Sequence, residues 1–330
     1  MRASMVSPTA KTKMLCAAGA ALLAALAAAS LFTGKYPLTL AGLLAGEPMQ
    51  LQVFWSLRFS RTVVGAAGGF ALGAAGFVYQ TVFRNPLASP DVIGVSSGAS
   101  AGAAAGILFL QGAAGVTLAA FGGALAAVGL ALGLSALDRS GRHSTIVLAG
   151  IAVHALAQTV LMCLKLTADP ERELASIEYW IMGSLNGVTS DAMGGSLALC
   201  AVSVGALFLL HRQILLLAAE EGEARMLGVQ VGRLRLAVLL AATLAVACVV
   251  SLTGLISFVG LLAPHAARML TGRSSLGTML LGGLLGGVLL TGADILARSA
   301  AAVELPVSIF TSLLGAPFLI FLILRGRVRA

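Results

Sequence analysis

The sequence has 330 residues, of which 58% are hydrophobic and only 10% are charged, and its formal net charge is +8. So few charges cannot cover the surface of a water-soluble domain, so the composition excludes that class. A positive net charge suits nucleic-acid binding, but the basic residues here lie between apolar runs rather than along one stripe. This distribution argues against a nucleic-acid partner and indicates a lipid bilayer as the surroundings.

Apolar runs of about 20 residues, the length that crosses about 30 Å of hydrocarbon, recur along the whole chain. They lack the alternation of a porin strand, and backbone groups in lipid must be satisfied internally, so the runs predict helices. We therefore predict an all-α polytopic membrane protein, a single transmembrane domain over 1–330. Its ten expected spans are about 14–32, 62–83, 92–110, 114–135, 145–166, 191–210, 235–253, 255–270, 277–297 and 308–324.

The first span begins after Lys11 and Lys13 with an Ala-rich run that could also belong to a signal peptide. Its apolar stretch is long for a signal peptide, which favours an uncleaved anchor. With the N-terminus in the cytoplasm, fifteen of the 21 Lys and Arg residues fall in inner segments. The positive-inside rule then places both termini in the cytoplasm, which ten spans allow.

Between the second and third spans, Pro86 and Pro90 cannot continue a helix, so the chain must turn there. Ser89 as the N-cap, Pro90 at the first position and Asp91 in the first turn predict the start of the third helix. Pro264 and Pro317 lie within later spans, where each is expected to kink or break its helix.

Glycines repeat at the four-residue spacing that lets membrane helices approach closely. The pairs and triplets with this spacing are Gly69/Gly73, Gly98/Gly102/Gly106, Gly129/Gly133, Gly282/Gly286 and Gly283/Gly287. They predict close helix–helix packing.

Two loops are long enough to hold structure of their own. The outer segment 167–190 carries Tyr179 and Trp180, which favour an interfacial helix at the level of the lipid headgroups. The inner segment 218–229 begins with acidic residues, where the helix dipole favours anions, and contains Gly228 as a candidate left-handed stop. It predicts a short amphipathic helix on the inner face, and a solvated loop is the alternative.

The sequence lacks the common motifs of nucleotide-binding and catalytic sites. There is no GxxxxGK[ST] phosphate loop, so any ATP would be hydrolysed by another chain, and no HExxH, GxSxG or paired-carboxylate motif. We therefore predict neither an enzyme nor a metal or cofactor site. His154 lies mid-span and is either a ligand or, as is more usual, a packing residue. All 13 acidic residues map to loops or span ends, which argues against a secondary carrier and leaves an external energy source or passive conduction.

Five blocks stand in order along the chain and cover most of it: RFSRTVVGAAGGFALGAAGFVYQTVFRNPLASPDVIGVSSGASAG (58–102), HSTIVLAGIAV (143–153), EEGEARMLGVQVGRLR (220–235), GLISFVGLLAPHAARMLTG (254–272) and ADILARSAAAVELPVSIFTSLLGAPFLIFLILR (293–325). They resemble the FecCD-type permeases, the membrane subunits of ABC importers for iron–siderophore complexes, haem and cobalamin. The resemblance implies the type II importer permease fold, a homodimer, two ATPase subunits inside and a substrate-binding protein outside. A heterodimer with a paralogous permease stays open.

The resemblance also implies roles for three groups of residues. A coupling helix at 218–229 would dock in the ATPase through Glu220, Glu221, Glu223, Ala224, Arg225, Leu227 and Gly228. Arg58, Arg61 and Arg298 would pair with carboxylates of the binding protein, for which the planar, always charged guanidinium is suited. His143, Ser144 and Thr145 would lie at the cytoplasmic gate.

Two positions depart from the family pattern. Phe59-Ser60 replaces Leu-Pro between the two arginines, which is expected to loosen the start of the second helix, and Ser308 replaces a common glycine without an interpretation from sequence. The sequence as a whole predicts the permease subunit of an importer in the bacterial inner membrane. We expect it to move an iron(III)–siderophore complex to the cytoplasm. Haem or cobalamin is the alternative cargo, and a secondary carrier or channel is the alternative class.

Overall fold

The computed structural model describes residues 8–110, 112–137, 143–188, 190–219, 226, 230–301 and 303–324. Within these ranges the chain forms helices and no strands. We number the ten helices of 13 or more residues in this part of the chain α1 (Pro8–Phe32), α2 (Ser60–Val82), α3 (Val95–Phe109), α4 (Ala113–Leu137), α5 (His143–Thr167), α6 (Ser190–Leu209), α7 (Val231–Thr253), α8 (Val259–Thr271), α9 (Leu276–Ser299) and α10 (Val307–Leu324).

Each of the ten predicted spans overlaps one of these helices. Among the described residues, six helical stretches are long and apolar enough to cross a membrane by themselves, and α3, α6 and α10 contribute shorter apolar helices. Both α8 and α10 continue through their prolines, so neither Pro264 nor Pro317 breaks its helix, and the kink expected as the other outcome stays a prediction.

Shorter helical segments lie between the long ones. The connection after α1 forms two short helices, Leu40–Leu44 and Pro48–Gln52, and the π-helical turn Val53–Phe59 leads directly into α2. The segment predicted to lie at the headgroup level forms the helix Glu173–Met182. On the other side of the bundle, His211–Leu216 follows α6.

Helix α2 lies at the centre of the bundle and packs against α6, α7, α8 and α9. In the helical stretch that contains it, 78% of the most apolar window is buried, against 11% in α1. The central position follows from the composition of α2, whose small residues allow neighbouring helices close on several sides. Helix α1 lies at the periphery, against α9.

The glycines of α2 and α9 meet in register. A Cβ atom on Gly69 would overlap the carbonyl of Gly286, and one on Gly73 would overlap the carbonyl of Gly282. One turn further along α2, a Cβ on Gly76 would overlap the carbonyl of Gly260 in α8. These glycines therefore set the backbone distance at which three helices pack, as the four-residue spacing predicted.

Helices α3 and α8 are too short to cross a bilayer. They have 15 and 13 residues, or about 22 and 20 Å at 1.5 Å per residue, against about 30 Å of hydrocarbon. An irregular segment precedes each: 83–94, which includes the single 3₁₀ turn Pro90–Ile93, and 254–258. The third helix therefore does not begin at Ser89 as expected, because Gly94, at φ +83°, separates that turn from α3.

Candidate functional site

The end of α1, the start of α2 and the end of α9 converge on a cluster of buried arginines. Arg61, in the first turn of α2, is 6% exposed. Its Nε donates to Oδ1 of Asp294 at 2.7 Å, and its Nη1 donates to Oε2 of Glu304 at 2.8 Å. One guanidinium thus bridges a carboxylate of α9 and a carboxylate of the connection that follows it, the geometry for which arginine is suited.

Arg298 lies one turn after Asp294 in α9 and shares its carboxylate. Its Nη2 lies 2.9 Å from Oδ2 of Asp294 and donates to Oγ of Ser30 at 2.6 Å. Its Nη1 donates to the carbonyls of Ser30 and Thr33, at 3.2 and 3.0 Å. Arg298 therefore caps the carbonyl end of α1, where a cation also meets the negative end of the helix dipole.

Arg58 is the third arginine of the cluster and the only one of the three without a carboxylate partner among the described residues. It lies in the π-helical turn, and its Nη2 donates to the carbonyl of Tyr36 at 3.2 Å. Gly34 provides its space, because a Cβ there would overlap the guanidinium. A cavity of about 190 Å³ lies beside the cluster, lined by Arg58, Arg61, Arg298, Glu304, Lys35 and Asn186 among others.

The cluster has more positive than negative charge. Three guanidinium groups face two carboxylates, and Nη2 of Arg61 is buried without a hydrogen-bond partner among the described residues. A buried donor that lacks a partner costs free energy. A carboxylate or other anion that entered the cavity would therefore find both excess charge and an unused donor.

Sequence reasoning found the three arginines and missed the acids that hold them. Asp294 was assigned only to a span end and Glu304 only to a loop, yet Asp294 is 1% exposed and pairs with two arginines. The spacing of Asp294 and Arg298, four residues apart on one helix, is a signal for such a pair. No comparable signal links Glu304 to Arg61, which lies 243 residues away in the chain.

The other predicted site residues are only partly described. The coupling residues Glu220, Glu221, Glu223, Ala224, Arg225, Leu227 and Gly228 lie outside the described residues, as do the side chains of His143 and Ser144. Thr145, the third gate residue, is half-buried in the first turn of α5. The coupling helix and the gate thus stay predictions.

The two departures from the family pattern have structural counterparts. Ser308 donates from its Oγ to the carbonyl of Leu255 at 2.6 Å, which satisfies one of the irregular backbone groups before α8. Ser60 donates from its Oγ to the carbonyl of Trp55, and the helical stretch runs without interruption from Pro48 to Val82. The start of the second helix is therefore continuous, and the seven residues before Ser60 are wound as a π-helix rather than an α-helix.

Asp91 lies in the turn Pro90–Ile93 between α2 and α3, so it stands in a connection, as predicted. This turn packs against α5, where the carbonyl of Val92 fills the space beside Gly150. His154 of α5 is exposed. Among the described residues, no group of three His, Cys, Asp or Glu side chains is placed to hold a metal ion.

Comparison with known proteins relates this architecture to transporters. Residues 22–325 match the FecCD transport family. A cobalamin import system permease of Halobacterium salinarum is 38% identical over 287 residues, which are 86% of this chain and 77% of the relative. An achromobactin transport system permease of Dickeya dadantii is 35% identical over 320 residues, 93% of this chain and 90% of the relative.

A solved structure gives the same result for the fold. An inward-facing metal-chelate type ABC transporter superposes with a TM-score of 0.83 at 31% identity, covering 95% of this chain and 99% of that one. The all-helical ABC permease fold and the family resemblance predicted from sequence are thereby confirmed. Because the family match and both relatives cover most of its length, the chain belongs to the FecCD transport family.

Proposed function

We propose that this chain is the permease subunit of an ATP-driven importer that moves a metal chelate, first of all an iron(III)–siderophore complex, from the periplasmic side to the cytoplasm. It would work as a homodimer in the inner membrane, with both termini in the cytoplasm. Two ATPase subunits would supply the energy, and a substrate-binding protein would deliver the cargo.

Family membership over residues 22–325 is the observation that carries this proposal. The sequence holds no phosphate loop of its own, which is consistent with a separate ATPase. Relatives at 38% and 35% identity carry the names of different cargoes, cobalamin and achromobactin. Haem or cobalamin therefore stays the alternative cargo, and identity alone does not decide between these chelates.

The arginine cluster supports a docking role at the outer face. Its excess positive charge and the unused Nη2 donor of Arg61 suit a carboxylate of the binding protein. The burial of all three arginines adds a condition: a docking carboxylate has to reach them through the adjacent cavity, and at Arg61 it competes with Glu304. Arg58 has no carboxylate partner among the described residues, so an incoming carboxylate meets no such competitor there.

Reconstitution tests the transport proposal. The chain would be placed in liposomes with its ATPase and binding protein, and uptake of ⁵⁵Fe-loaded siderophore, haemin and cyanocobalamin would be measured with and without ATP. We expect uptake of one chelate only with ATP, and none with an ATPase variant that binds but does not hydrolyse it. Uptake that proceeds without ATP would instead indicate a carrier or channel.

Charge reversal of Arg58 is the cleanest test of docking. Arg61→Glu or Arg298→Glu would place a third carboxylate beside Asp294, so a loss of function there could reflect misfolding. Arg58 is also buried, but Arg58→Glu leaves both ion pairs of Asp294 in place and removes one hydrogen bond, to the carbonyl of Tyr36. We expect it to weaken capture of the binding protein, more so at low salt. Unchanged capture at low salt would remove Arg58 from the docking surface.

A further inference from the structure

Two irregular segments meet inside the helical bundle. The segments 83–94 and 254–258 complete the crossings that α3 and α8 are too short to make. Non-helical backbone at membrane depth is tolerated only where it is buried in protein or lines a polar cavity. Discontinuous helices of this kind form the cargo sites of many transporters, because they bring polar groups to the middle of the membrane.

Asp91 lies at this meeting point. Its turn is held against α8, since the ring of Pro90 lies 3.5 Å from where a Cβ on Gly260 would be, and Gly260 in turn packs on Gly76 of α2. Gly76 is six residues from the inner end of α2, or about 9 Å along its axis. The carboxylate of Asp91 is therefore well inside the bundle, although its position in the sequence indicates a loop.

The carboxylate of Asp91 is accessible and has no cationic partner in the part of the chain that the structure describes. Its side chain is exposed, and it accepts hydrogen bonds from the hydroxyls of Ser96 and Ser89. Among the described residues it forms no ion pair. An unpaired carboxylate inside a membrane protein is costly, and such residues mark ion or substrate pathways.

Two cavities of about 230 and 350 Å³ adjoin this carboxylate and share Asp91, Ser96, Ile256 and Ser257 in their walls. Ser100, His154 and Gln158 give the larger cavity further polar groups. Its remaining charged residue, Lys165, is paired with Glu178 at 2.9 Å. The charge that Asp91 presents to the cavities is thus not cancelled by Lys165.

We propose that Asp91, with the polar groups around it, contacts the cargo during its passage and favours chelates that carry N–H, O–H or ammonium donors over polyanionic ones. The inference rests on the proposed function and narrows it to uncharged or cationic chelates, such as ferric hydroxamates. The hydroxyls of Ser96 and Ser89 hold the carboxylate in place, and the cargo supplies the donors that the chain does not. Asp91→Asn keeps the shape and one acceptor oxygen and removes the charge, and its amide NH₂ can donate to the serine hydroxyl that loses its acceptor.

A pair of probes that differ by one charge tests this preference. Ferrioxamine B carries a free ammonium group, and its N-acetylated derivative is a neutral chelate of the same metal and shape. Binding of each to the purified permease–ATPase complex would be measured by equilibrium dialysis, using the absorbance of the ferric hydroxamate. We expect the wild type to favour the ammonium form by about fivefold or more, as expected for one charge pair in a partly hydrated site, and Asp91→Asn to bind both forms equally.

Glu171→Gln, which removes an exposed carboxylate of the outer connection, is the matched control and should keep the wild-type ratio. A wild type that binds neither form, or binds both equally, overturns the inference, as does an Asp91→Asn variant that keeps the preference. Uptake with ATP is measured separately in proteoliposomes. Its failure would count against the proposed function, whereas the binding ratio alone decides the role of Asp91.

Discussion

The Oδ1 atom of Asp294 in α9 accepts a hydrogen bond from Nε of Arg61 in α2 across 2.7 Å, with both side chains almost completely buried. The same carboxylate pairs with Arg298 through its other oxygen. One acid therefore organises two of the three arginines proposed to receive the binding protein. It holds their side chains in fixed positions at one end of the bundle. Specific recognition of a carboxylate by the guanidinium donors requires such fixed positions.

Replacing Asp294 with Asn should strongly destabilise the fold. The change leaves two buried guanidinium groups with too little negative charge, and removal of one partner from a buried ion pair typically costs about 3–5 kcal/mol. Glu178→Gln is the matched control: its pair with Lys165 is also 2.9 Å long but much more exposed, so the expected cost is about 1 kcal/mol or less. Denaturation in detergent would measure the loss of stability in both variants. Equal losses would show that burial does not make the ion pairs of Asp294 more important than that of Glu178.

Replacing Glu304 with Gln should strengthen capture of the binding protein. Glu304 is the more exposed of the two acids, at 25%, and its charge competes for Arg61 with any incoming carboxylate. Removing that charge keeps the shape of the side chain, and the guanidinium of Arg61 then attracts an incoming carboxylate more strongly. We expect an increase of about threefold to tenfold in affinity at low salt, which declines as salt is added. Surface plasmon resonance on the reconstituted complex would measure it, and weaker capture would assign Glu304 to docking itself.

The sequence predicts the helices well because the physics of the bilayer leaves few choices. Apolar runs of membrane-spanning length must be helical, and α2, α4, α5 and α9 lie within a few residues of their predicted spans. The positions of the docking arginines follow from the resemblance. The contacts of the arginines do not follow from it. Asp294 and Glu304 are more than 230 residues from Arg61 in the chain, so no local sequence pattern indicates that they pair with it.

The depth of a loop was the property that sequence reasoning could least predict. Asp91 stands between two prolines and a glycine, a pattern that indicates a turn, and turns between spans usually lie outside the hydrocarbon. Here the turn packs inside the bundle, because Gly150 and Gly260 leave room for its backbone. The role of Ser308 could not be predicted either, because the sequence does not show that the irregular segment 254–258 lies beside it. The carbonyl of Leu255 in that segment accepts its hydrogen bond.

Replacing Gly76 with Ala should be far more damaging than replacing Gly129. A Cβ at Gly76 would overlap the carbonyl of Gly260, so α2 and α8 would have to separate, whereas nothing among the described residues lies within 4 Å of a Cβ at Gly129. Overpacking of this kind costs about 1–3 kcal/mol or more. In Gly129→Ala, by contrast, the higher helix propensity of alanine should leave stability equal or slightly raised. Thermal denaturation in one detergent compares the pair. Equal melting temperatures would show that the packing of α2 against α8 does not depend on the close contact at Gly76.

The hydroxyl of Tyr79 offers a final test of the core. Tyr79 is completely buried in α2, and its hydroxyl lies 2.8 Å from Oγ1 of Thr243 in α7, which is also completely buried. Hydrogen bonds between membrane helices contribute about 0.6 kcal/mol on average and at most about 1.7 kcal/mol. A double-mutant cycle of Tyr79→Phe and Thr243→Val, followed by denaturation in sodium dodecyl sulfate, isolates the pair from the loss of each group alone. We expect a coupling energy in that range, because neither hydroxyl has another partner among the described residues. Additive effects would mean that the two groups are satisfied separately and that this bond does not hold α2 to α7.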